Sequence, residues 1–316
     1  MTKLISSIGI DIGKAFLDVH GLGRHYPARF GNDADGFAKL IAALSACAPD
    51  IIVCEASGGY ERCMMNALQD VGLPIVAVNP RQIRDYAKAK GCLAKTDRID
   101  ARIIAEYGAT FRPVPKPMNR PAELAQHVQR RRQWINMLRQ EMQHLEHVVS
   151  ETVRCDIEQH IAFLQDHIAT CDRRIRECIR ADEACKAKHA ILTSCKGVGD
   201  VTAATLIADM PELGSASHAQ IASLAGIAPF NHDSGAMRGT RHIRGGRNAL
   251  REVLYMATVT ALRHNADIKR LYERLRANGK PAKVAIVACM RQLLITLNSM
   301  LRHNRKWTEK YNPTTA

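Results

Sequence analysis

The sequence predicts a mixed α/β domain at the N-terminus, followed by a remainder that is almost entirely helical. In the first third of the chain, short apolar runs bounded by turn residues alternate with helical patterns, whereas beyond Pro121 apolar residues recur every three or four positions. The proline-rich stretch 112–117 between them is typical of a stiff linker. We therefore expect an α/β domain over residues 1–112, a linker with coiled-coil helices over 113–187, and a mostly helical domain over 188–316.

Five strands and three helices are predicted in the first domain. In chain order they are strands over 7–12, 16–22 and 25–30, a helix over 33–47, a strand over 51–54, a helix over 58–68, a strand over 74–78 and a helix over 79–90. Residues 51–54 are apolar throughout, as expected of a strand in a sheet that helices cover on both faces. Three antiparallel strands followed by alternating helices and strands form the ribonuclease H-like arrangement.

Four carboxylates lie where this arrangement could bring them together. Asp11 lies in the middle of the first apolar strand, where a charge is costly unless a positive group meets it. Glu55 directly follows the apolar run 51–54, while Asp97 and Asp100, three residues apart, share one face of a helix. Because the first strand and the later parallel strand lie side by side in such a sheet, we expect all four carboxylates to converge at one edge.

Four converging carboxylates repel one another unless divalent cations bind between them. Hard oxygen ligands suit Mg²⁺ or Mn²⁺, and two such ions can hold the attacking and leaving oxygens of a phosphate displacement. Two other interpretations are open. Each acid alone is more often a surface charge, and Asp97 after Thr96 is also a good helix cap. Residues 9–13 also resemble the first phosphate loop of the sugar-kinase and actin-like ATPases, although the helical C-terminal half shows no second loop.

The composition points to a polyanionic partner. Lys and Arg total 45 against 31 for Asp and Glu, which gives a net charge of +14 and favours nucleic acid first and an anionic membrane second. Aromatic residues make up 5%, so contacts to backbone phosphates are expected rather than base stacking. The ten cysteines form no Cys-x-x-Cys pair, and we interpret them as small buried residues without structural zinc. A cytoplasmic protein without signal peptide or membrane span is expected.

Two apolar seams run through the middle segment. The first comprises Ile135, Leu138, Met142, Leu145 and Val149, and the second comprises Ile161, Leu164, Ile168, Cys171, Ile175 and Cys178. The register slips near 152–157, so either two helices pair or one kinked helix dimerises, and self-association is the expected role. The cluster Arg130, Arg131 and Arg132 is a candidate contact to nucleic acid, or else a solvated helix face.

The C-terminal segment begins with a pattern typical of a helix-hairpin-helix. Between two apolar helical stretches lie Lys196, Gly197 and Gly199, whose tight turn can present backbone N–H groups to a phosphate at the start of the next helix. A plain helix turn is the alternative, because Gly-x-Gly also occurs there. A short helix over 217–224 is expected to follow.

An arginine ladder follows, with no acidic residue between Ser234 and Arg251. It comprises Arg238, Arg241, Arg244, Arg247 and Arg251. Five arginines without counter-charge repel one another unless an anion binds, and guanidinium binds phosphate in a bidentate manner. Ser234 is a candidate nucleophile toward phosphorus, although Ser-Gly is also a common turn, in a stretch expected to be loop-like at first. Tyr255 is expected in a helix core rather than as a tyrosine-recombinase nucleophile.

These motifs together resemble one family. The matching stretches are Gly9-Ile10-Asp11, Glu55-Ala56-Ser57-Gly58-Gly59-Tyr60, Asn79-Pro80, Lys95-Thr96-Asp97-Arg98-Ile99-Asp100-Ala101, Gly197-Val198-Gly199, Gly226-Ile227-Ala228-Pro229, Ser234-Gly235 and Arg247-Asn248-x-x-Arg251-x-x-Leu254-Tyr255-Met256-Ala257. The chain resembles, over nearly its full length, the insertion-sequence transposases that join a DEDD domain, like that of the Holliday-junction resolvase RuvC, to a C-terminal serine transposase domain. The Piv DNA invertases are relatives, and bridge-RNA-guided recombinases are members. Ser57 stands where the family usually has threonine.

The resemblance implies a mechanism and partners. The four acids, Asp11, Glu55, Asp97 and Asp100, would hold Mg²⁺, and Ser234 would attack the scissile phosphate to form a covalent 5′-phosphoserine link to DNA. A homotetramer built of dimers is implied, as is a structured noncoding bridge RNA that pairs with donor and target DNA. A metal-dependent RuvC-like nuclease or resolvase without a covalent step is the alternative, and a non-catalytic nucleic-acid-binding protein is the third interpretation.

Overall fold

The computed structural model divides the chain into two compact units, Met1–Met118 and Asn119–Ala316. It describes residues 6–22, 29–92, 97–115, 121–230, 233–234, 237–239 and 241–308. The first unit is an α/β domain and the second is mainly helical. Helices of the expected middle segment share a hydrophobic core with the C-terminal helices and lie with them in the second unit.

Five strands and four helices form the described part of the N-terminal unit. They are β1 (Ser7–Ile12), β2 (Phe16–Gly21), β3 (Arg29–Gly31), α1 (Ala34–Ser45), β4 (Ile51–Glu55), α2 (Glu61–Asp70), β5 (Ile75–Val78), α3 (Pro80–Ala89) and α4 (Asp97–Phe111). The strands form one sheet in the order β3-β2-β1-β4-β5, in which β1 pairs antiparallel with β2 and parallel with β4. The prediction of an α/β unit is confirmed; most of the expected third strand, over 25–30, lies outside the described residues.

The two faces of the sheet have separate hydrophobic cores. On one face Ile8 and Ile10 of β1 pack in a cluster with Leu40 of α1. On the other face Val53 of β4 packs in a cluster with Ile104 of α4. Strands β1 and β4 are therefore buried on both sides, which explains their nearly continuous apolar sequences.

Helix α4 lies directly across β1 at a glycine. An ideal Cβ on Gly9 would lie 2.1 Å from the carbonyl oxygen of Ala101 and 2.3 Å from the amide nitrogen of Ala105. The buried hydroxyl of Ser7 donates a hydrogen bond to the carbonyl oxygen of the same Ala105 at 2.8 Å. Glycine is required at position 9 because the helix backbone leaves no room for a side chain.

The second unit contains eight helices and four two-residue strands among its described residues. They are α5 (Ala122–His147), α6 (Glu151–Ala181), α7 (Glu183–Thr193), α8 (Asp200–Asp209), α9 (His218–Leu224), β6 (Pro229–Phe230), β7 (Asp233–Ser234), β8 (Met237–Arg238), β9 (His242–Ile243), α10 (Asn248–His264), α11 (Ala266–Ala277) and α12 (Ala282–Arg302). Of the described helices, α12 alone is long and apolar enough to cross a membrane by length and composition, a property that its sequence pattern did not lead us to expect. Its Leu293, Leu294 and Leu297 are fully buried in the core of this unit.

Helices α5 and α6 pair with each other in antiparallel fashion. Arg131 near the start of α5 reaches Asp172 near the end of α6, with 2.6 Å between Nε and Oδ1. Further along, Glu141 lies 2.9 Å from Nδ1 of His160. Of the two arrangements that the sequence left open, the structure shows two helices that pair within one chain.

The predicted apolar seam of this helix pair is buried in the part that lies away from the turn at 148–150. Ile168 and Ile175 of α6 are buried, whereas Met142 is 54% exposed and Val149, at the turn between the helices, is 96% exposed. The far end of the pair thus presents apolar side chains that the described part of the chain does not cover.

Two expectations about the C-terminal segment need correction. Tyr255 is 40% exposed, because the buried face of α10 is formed by Leu250, Leu254 and Ala257. The stretch that begins at Pro229, expected to be loop-like, forms two short antiparallel ladders, β6 with β9 and β7 with β8.

Replacing Gly9 by alanine is expected to destabilise the N-terminal unit by about 3 kcal/mol or more, because the added methyl group would overlap the backbone of α4. Denaturant unfolding measures the loss. Gly199→Ala, where an ideal Cβ has no described atom within 4 Å, is the matched control and should lose about 1 kcal/mol or less, since alanine is only a poorer helix cap than glycine. Equal stability of the Gly9→Ala variant and the wild type would contradict the close packing of α4 on β1.

Candidate active site

Asp11 faces helix α4. Ser7 and Gly9 both contact α4, and side chains two residues apart along a strand point to the same face of the sheet. Asp11 therefore belongs to this face, next to the C-terminal end of β1. It is partly buried, and its Oδ1 accepts a hydrogen bond from the amide of Ile12 at 3.1 Å.

Glu55 lies at the same edge of the sheet as Asp11. The parallel register between β1 and β4, continued by one residue, places Asp11 beside Glu55. Val53 contacts α4, since a Cβ on Gly108 would lie 2.7 Å from its Cγ2. Glu55, two residues further along β4, shares the α4 face and is partly buried.

The first turn of α4 approaches this edge. Going from Ser7 to Gly9 along β1 corresponds to going back from Ala105 to Ala101 along α4. Two more strand residues span roughly 6.6 Å and four helix residues roughly 6 Å. The first turn of α4, which carries Asp97 and Asp100, is therefore directed toward the edge that holds Asp11.

The backbone thus directs the four predicted acids to one sheet edge. Asp100 is partly buried, whereas the side chain of Asp97 lies outside the described residues. Carboxylate oxygens supplied by two strands and a helix are the donor set that hard divalent cations such as Mg²⁺ take. The residues at this edge therefore fit a divalent cation by the chemistry of their donor atoms.

A neighbouring acid that sequence reasoning did not select is neutralised within the chain. Asp18 of β2 is paired directly across from Asp11 and is 6% exposed. Arg29 binds it with both ends of its guanidinium, at 3.1 Å from Nε and 2.9 Å from Nη2. A bidentate ion pair of this kind removes one negative charge from the edge next to Asp11. The alternation of β2 was the available signal, since it puts Asp18 on the Asp11 face.

The loop after Glu55 is organised by Glu61, which sequence reasoning also missed. Its Oε2 accepts hydrogen bonds from the amide and hydroxyl of Ser57, at 3.1 and 3.0 Å, and from the amide of Gly59 at 2.8 Å. Burial alone would raise the pKa of Glu61, but these hydrogen bonds and that of its own amide outweigh burial and lower the pKa. The ionised side chain therefore holds the loop that follows the candidate ligand Glu55.

Ser234 lies in the inner of the two short ladders. Ser234 pairs with Met237 in β7 and β8, while Phe230 pairs with His242 in β6 and β9. The side chains of Ser234 and Arg238 lie outside the described residues. The pairing places Ser234 at the end of β7, directly across from Met237 at the start of β8.

The other predicted arginines divide into exposed and engaged groups. Arg241 and Arg244 are exposed beside β9. Arg247 instead forms two hydrogen bonds of 2.8 Å with the carboxylate of Glu212, and Arg251 donates to backbone carbonyl oxygens. The five arginines of the arginine ladder therefore do not form one continuous anion site.

The arginine cluster on α5 has partners of its own. The guanidinium of Arg130 lies over the ring of Trp134, 3.9 Å from its centroid. Arg131 binds Asp172, and Nη1 of Arg132 lies 3.7 Å from Oδ2 of Asp209. The cluster is therefore only partly available as a solvated basic face.

The predicted helix-hairpin-helix turn connects α7 to α8. Gly197 has a φ of +101°, and a Cβ there would lie 2.5 Å from the Cβ of Ala261 in α10, so this glycine is required by the fold. Gly199 caps α8 with a φ of −91°, and an ideal Cβ there would meet open space among the described residues. Lys196 is exposed and its ammonium lies 5.8 Å from the ring centroid of Trp307. The N-terminus of α8 thus has room for a ligand.

The cysteines behave as buried apolar groups in several places. Burial raises the pKa of Cys195 to about 12 and that of Cys289 to about 11, so both thiols stay protonated at neutral pH. Among the described residues, Cys178 comes together with Glu123 and His127, and their ligand atoms lie within 4.8 Å of one another. Burial and then the charge of Glu123 raise the pKa of Cys178, and no sequence motif indicated this group.

Two protein-family models match the chain, and both describe transposases. One, described as a transposase of the DEDD type, matches residues 8–153, and the other, described as the transposase IS116/IS110/IS902 family, matches residues 189–273. The pilin gene-inverting proteins of Moraxella lacunata and Moraxella bovis are each 29% identical, over 96% of this chain and 98% of their own length. A 44.8 kDa protein of insertion element IS116 from Streptomyces clavuligerus is 31% identical over 49% of this chain and 38% of its own length.

These matches define an enzyme of the DNA transposase and recombinase class. The chain belongs to the IS110 family of insertion-sequence transposases. Membership implies a divalent cation, and the carboxylate edge of the N-terminal unit offers the oxygen donors that such a cation needs.

The depressed pKa of Glu61 predicts a pH-dependent contribution to stability. The ionised form is favoured by folding, so Glu61 stabilises the protein above its ordinary pKa of 4.5, and the contribution is lost as the pH falls through the lower folded pKa. At neutral pH, Glu61→Gln should cost about 1 kcal/mol, a low value because the carboxylate is partly exposed.

Urea unfolding of the wild type and Glu61→Gln across the acid range checks this expectation. The difference between the two should shrink as the pH drops below 4.5. Asp35→Asn, at an exposed position in α1, serves as the control for removal of a charge. A difference that grows toward acid pH would have the wrong sign.

Proposed function

We propose that this transposase cuts and rejoins DNA through a covalent link to Ser234, assisted by Mg²⁺ at the carboxylate edge. The observation that carries the proposal is the arrangement of β1, β4 and α4 around Gly9, which directs Asp11, Glu55 and the first turn of α4 to one edge. The strand order β3-β2-β1-β4-β5 also supports a ribonuclease H or RuvC-like fold for this unit.

The covalent step is a transesterification. The hydroxyl oxygen of Ser234 attacks the phosphorus, the bond from phosphorus to the 3′ oxygen breaks, and the serine proton is taken up as the 3′-hydroxyl forms. The 5′-phosphate stays on the serine as a diester, so no high-energy cofactor is needed. A 3′-hydroxyl of another strand then attacks this diester, the bond to Ser234 breaks, and the serine hydroxyl is restored.

Asp11, Glu55, Asp97 and Asp100 are the residues that would hold the metal, with Mn²⁺ able to replace Mg²⁺. A bound divalent cation neutralises charge that develops on phosphate oxygens during displacement. The pairing of Asp18 with Arg29 supports this assignment, because it limits the negative charge next to Asp11. Glu61 supports it as well, since it holds the loop after Glu55.

Nucleic acid is expected to contact both basic parts of the second unit. The proposed contacts are Arg130, Arg131, Arg132, Lys196, Gly197, Gly199, Arg238, Arg241 and Arg244. The net charge of +14 and the exposure of Arg241, Arg244 and Lys196 support phosphate contacts. We leave Arg247 and Arg251 out of this set because their guanidinium groups are engaged within the chain.

The family resemblance extends the proposal to partners. Pilin gene-inverting proteins, which by their name invert a gene, align along nearly the whole chain, and this supports strand exchange between donor and target DNA. We include a structured bridge RNA as the source of site selection, and a tetramer built of dimers. Exposed apolar side chains at the far end of the α5–α6 pair, such as Met142 and Val149, support self-association.

A metal-dependent nuclease or resolvase without a covalent intermediate is the competing function. Water would replace the serine oxygen as nucleophile, and Ser234 would be only a turn residue. The carboxylate edge is common to both functions, so only the fate of the cut phosphate separates them.

Ser234→Ala should abolish covalent capture of DNA, because the attacking oxygen is removed, while DNA affinity stays within about twofold of wild type since no phosphate-binding charge changes. Denaturing gels of reactions with labelled DNA and Mg²⁺ measure the adduct, and filter binding measures affinity. Ser223→Ala, at an exposed position on α9, is the matched control and should form adducts normally. Adducts that persist in Ser234→Ala, or cutting by the wild type without any adduct, would refute the serine mechanism.

At the helix-hairpin-helix turn, Gly199→Asp should change stability and DNA affinity in opposite directions. The backbone of Gly199 already has the extended conformation of a helix N-cap, so aspartate should stabilise α8 by a few tenths of a kcal/mol to about 1 kcal/mol. The same carboxylate would repel a phosphate at this helix terminus and weaken DNA binding roughly tenfold.

Thermal unfolding and DNA titration of the same Gly199→Asp preparation give the two readings. Gly199→Asn is the matched control, because it caps the helix without adding charge and should keep most of the affinity. Unchanged affinity in Gly199→Asp would exclude this turn as a phosphate contact.

A further inference from the structure

The segment that carries Ser234 leaves the core of the second unit at Gly226 and rejoins it at Gly245 and Gly246, and these three glycines contact one another across the two ends. A Cβ on Gly226 would lie 2.1 Å from the carbonyl oxygen of Gly245, and a Cβ on Gly246 would lie 2.2 Å from the amide nitrogen of Gly226. Both have positive φ, +68° for Gly226 and +73° for Gly246. We call residues 227–244 between these glycines the serine arm. Its two ends lie in backbone contact with no side chain between them.

A single guanidinium ties the two ends of the serine arm together. Nη1 of Arg251 donates to the carbonyl oxygens of Gly226, at 3.2 Å, and of Gly245, at 3.1 Å. Its Nη2 donates to the side-chain oxygen of Asn248. Arg251 belongs to α10, whose Leu250 and Leu254 are fully buried. The ends of the arm are therefore anchored to a helix that is itself fixed in the core.

A second arginine fixes the point where the chain returns from the arm to α10. The amide of Arg247 donates to the carbonyl oxygen of Leu224 at 2.8 Å. Its guanidinium makes two hydrogen bonds of 2.8 Å with the carboxylate of Glu212 and one of 2.8 Å with the carbonyl oxygen of Asp209. The Glu212 side chain is only 14% exposed, so the pair is largely removed from water. Loss of one partner would remove a bidentate ion pair from a poorly solvated site.

In the simplest interpretation of the arginine ladder, all five side chains bind phosphate. The contacts of Arg247 and Arg251 within the chain argue against this interpretation. Both terminal nitrogens of Arg247 already bind Glu212, and Nη1 of Arg251 already bridges two carbonyl groups. A phosphate at Arg247 would have to displace a bidentate carboxylate of the same chain. Arg241 and Arg244 of the serine arm, by contrast, are exposed.

We propose that Arg247 and Arg251 are positioning residues that anchor the serine arm to α10, and that Glu212 is the acid on which the anchor depends. The importance of the anchor for strand cleavage rests on the proposed role of Ser234. The chemistry requires it because a nucleophile on a two-residue strand keeps its attack geometry only when the ends of the arm that carries this strand are held. Glu212 thus acquires a role in catalysis although an acid contributes nothing favourable to DNA binding.

Glu212→Gln is the variant that separates anchoring from phosphate binding. Glutamine keeps the shape but loses the charge and one acceptor, so the anchor loosens and the rate of adduct formation should fall about 10- to 100-fold. DNA affinity and its salt dependence should not fall, because no basic residue has been removed. If Arg247 were a phosphate ligand, release from Glu212 would leave adduct formation unchanged or improved.

Arg247→Lys tests the other half of the pair. Lysine cannot make the bidentate contact to Glu212, so adduct formation should fall as in Glu212→Gln. The slope of log affinity against log salt should match the wild type, and so should that of Arg247→Gln. A phosphate ligand would behave otherwise, because Arg247→Gln would then lower the slope by about 0.9 while Arg247→Lys would keep it. Asp267→Asn, which removes the acid partner of Arg270 on α11, is the matched control and should leave both measurements unchanged.

A measurement without DNA keeps this inference separate from the proposed function. Hydrogen exchange followed by mass spectrometry should show faster exchange in peptides covering 227–244 for Glu212→Gln and Arg247→Lys, but not for Asp267→Asn. Peptides of α5 and α6 report whether the fold as a whole is retained. If the two variants exchange faster in the arm while the wild type forms no serine adduct, the anchor is supported and the serine mechanism is refuted. Ser234-dependent adducts that form in Glu212→Gln at the wild-type rate, with unchanged exchange in the arm, would overturn the anchor.

Discussion

The close approach of α4 to β1 is the contact on which the candidate metal site depends. With no side chain at Gly9, the helix backbone reaches the strand, and the Ser7 hydroxyl bonds to Ala105 at 2.8 Å. This contact fixes how far α4 extends along β1, and so directs its first turn toward Asp11. A helix lifted off the strand by one methyl group would carry Asp97 and Asp100 away from the two acids of the sheet. Gly9, the smallest residue of the strand, thus determines where the carboxylates of α4, a helix about 90 residues later in the sequence, can lie.

Much of this edge was predictable from the sequence because it follows from regular structure. Alternation along β1 and the apolar run of β4 gave the strands, and the parallel pairing expected in such a sheet brought Asp11 beside Glu55. Asp18 and Glu61 were missed, because their roles depend on which partners the fold supplies. The Arg29 that neutralises Asp18 comes from another strand, and Glu61 acts through hydrogen bonds to a loop whose conformation no periodicity reports.

In the second unit, sequence patterns predicted the helices but not the partners of individual side chains. Helical periodicity predicted its helices, yet Tyr255 lies outside the core, because the buried face of α10 is chosen by its neighbours and not by composition alone. The regular spacing of the arginines suggested one anion site, although spacing says nothing about acids elsewhere in the chain. Glu212, which precedes Ser234 in the sequence, binds Arg247 only because the fold returns the chain to it. Long-range ion pairs of this kind cannot be read from a local motif.

The glycines that meet at the base of the serine arm also divide the arginine ladder by environment. Arg241 and Arg244, which precede Gly245, flank the short strand β9, where they are exposed and keep their hydration. Arg247, directly after Gly246, is the N-cap of α10, which packs into the core, so its side chain enters a region where an arginine must find an acid or a carbonyl group. An exposed guanidinium can exchange water for phosphate at little cost, whereas a partly buried one that already holds a carboxylate would have to give up that contact first. A single run of arginines therefore spans two environments, and the boundary between them is set by burial rather than by residue type.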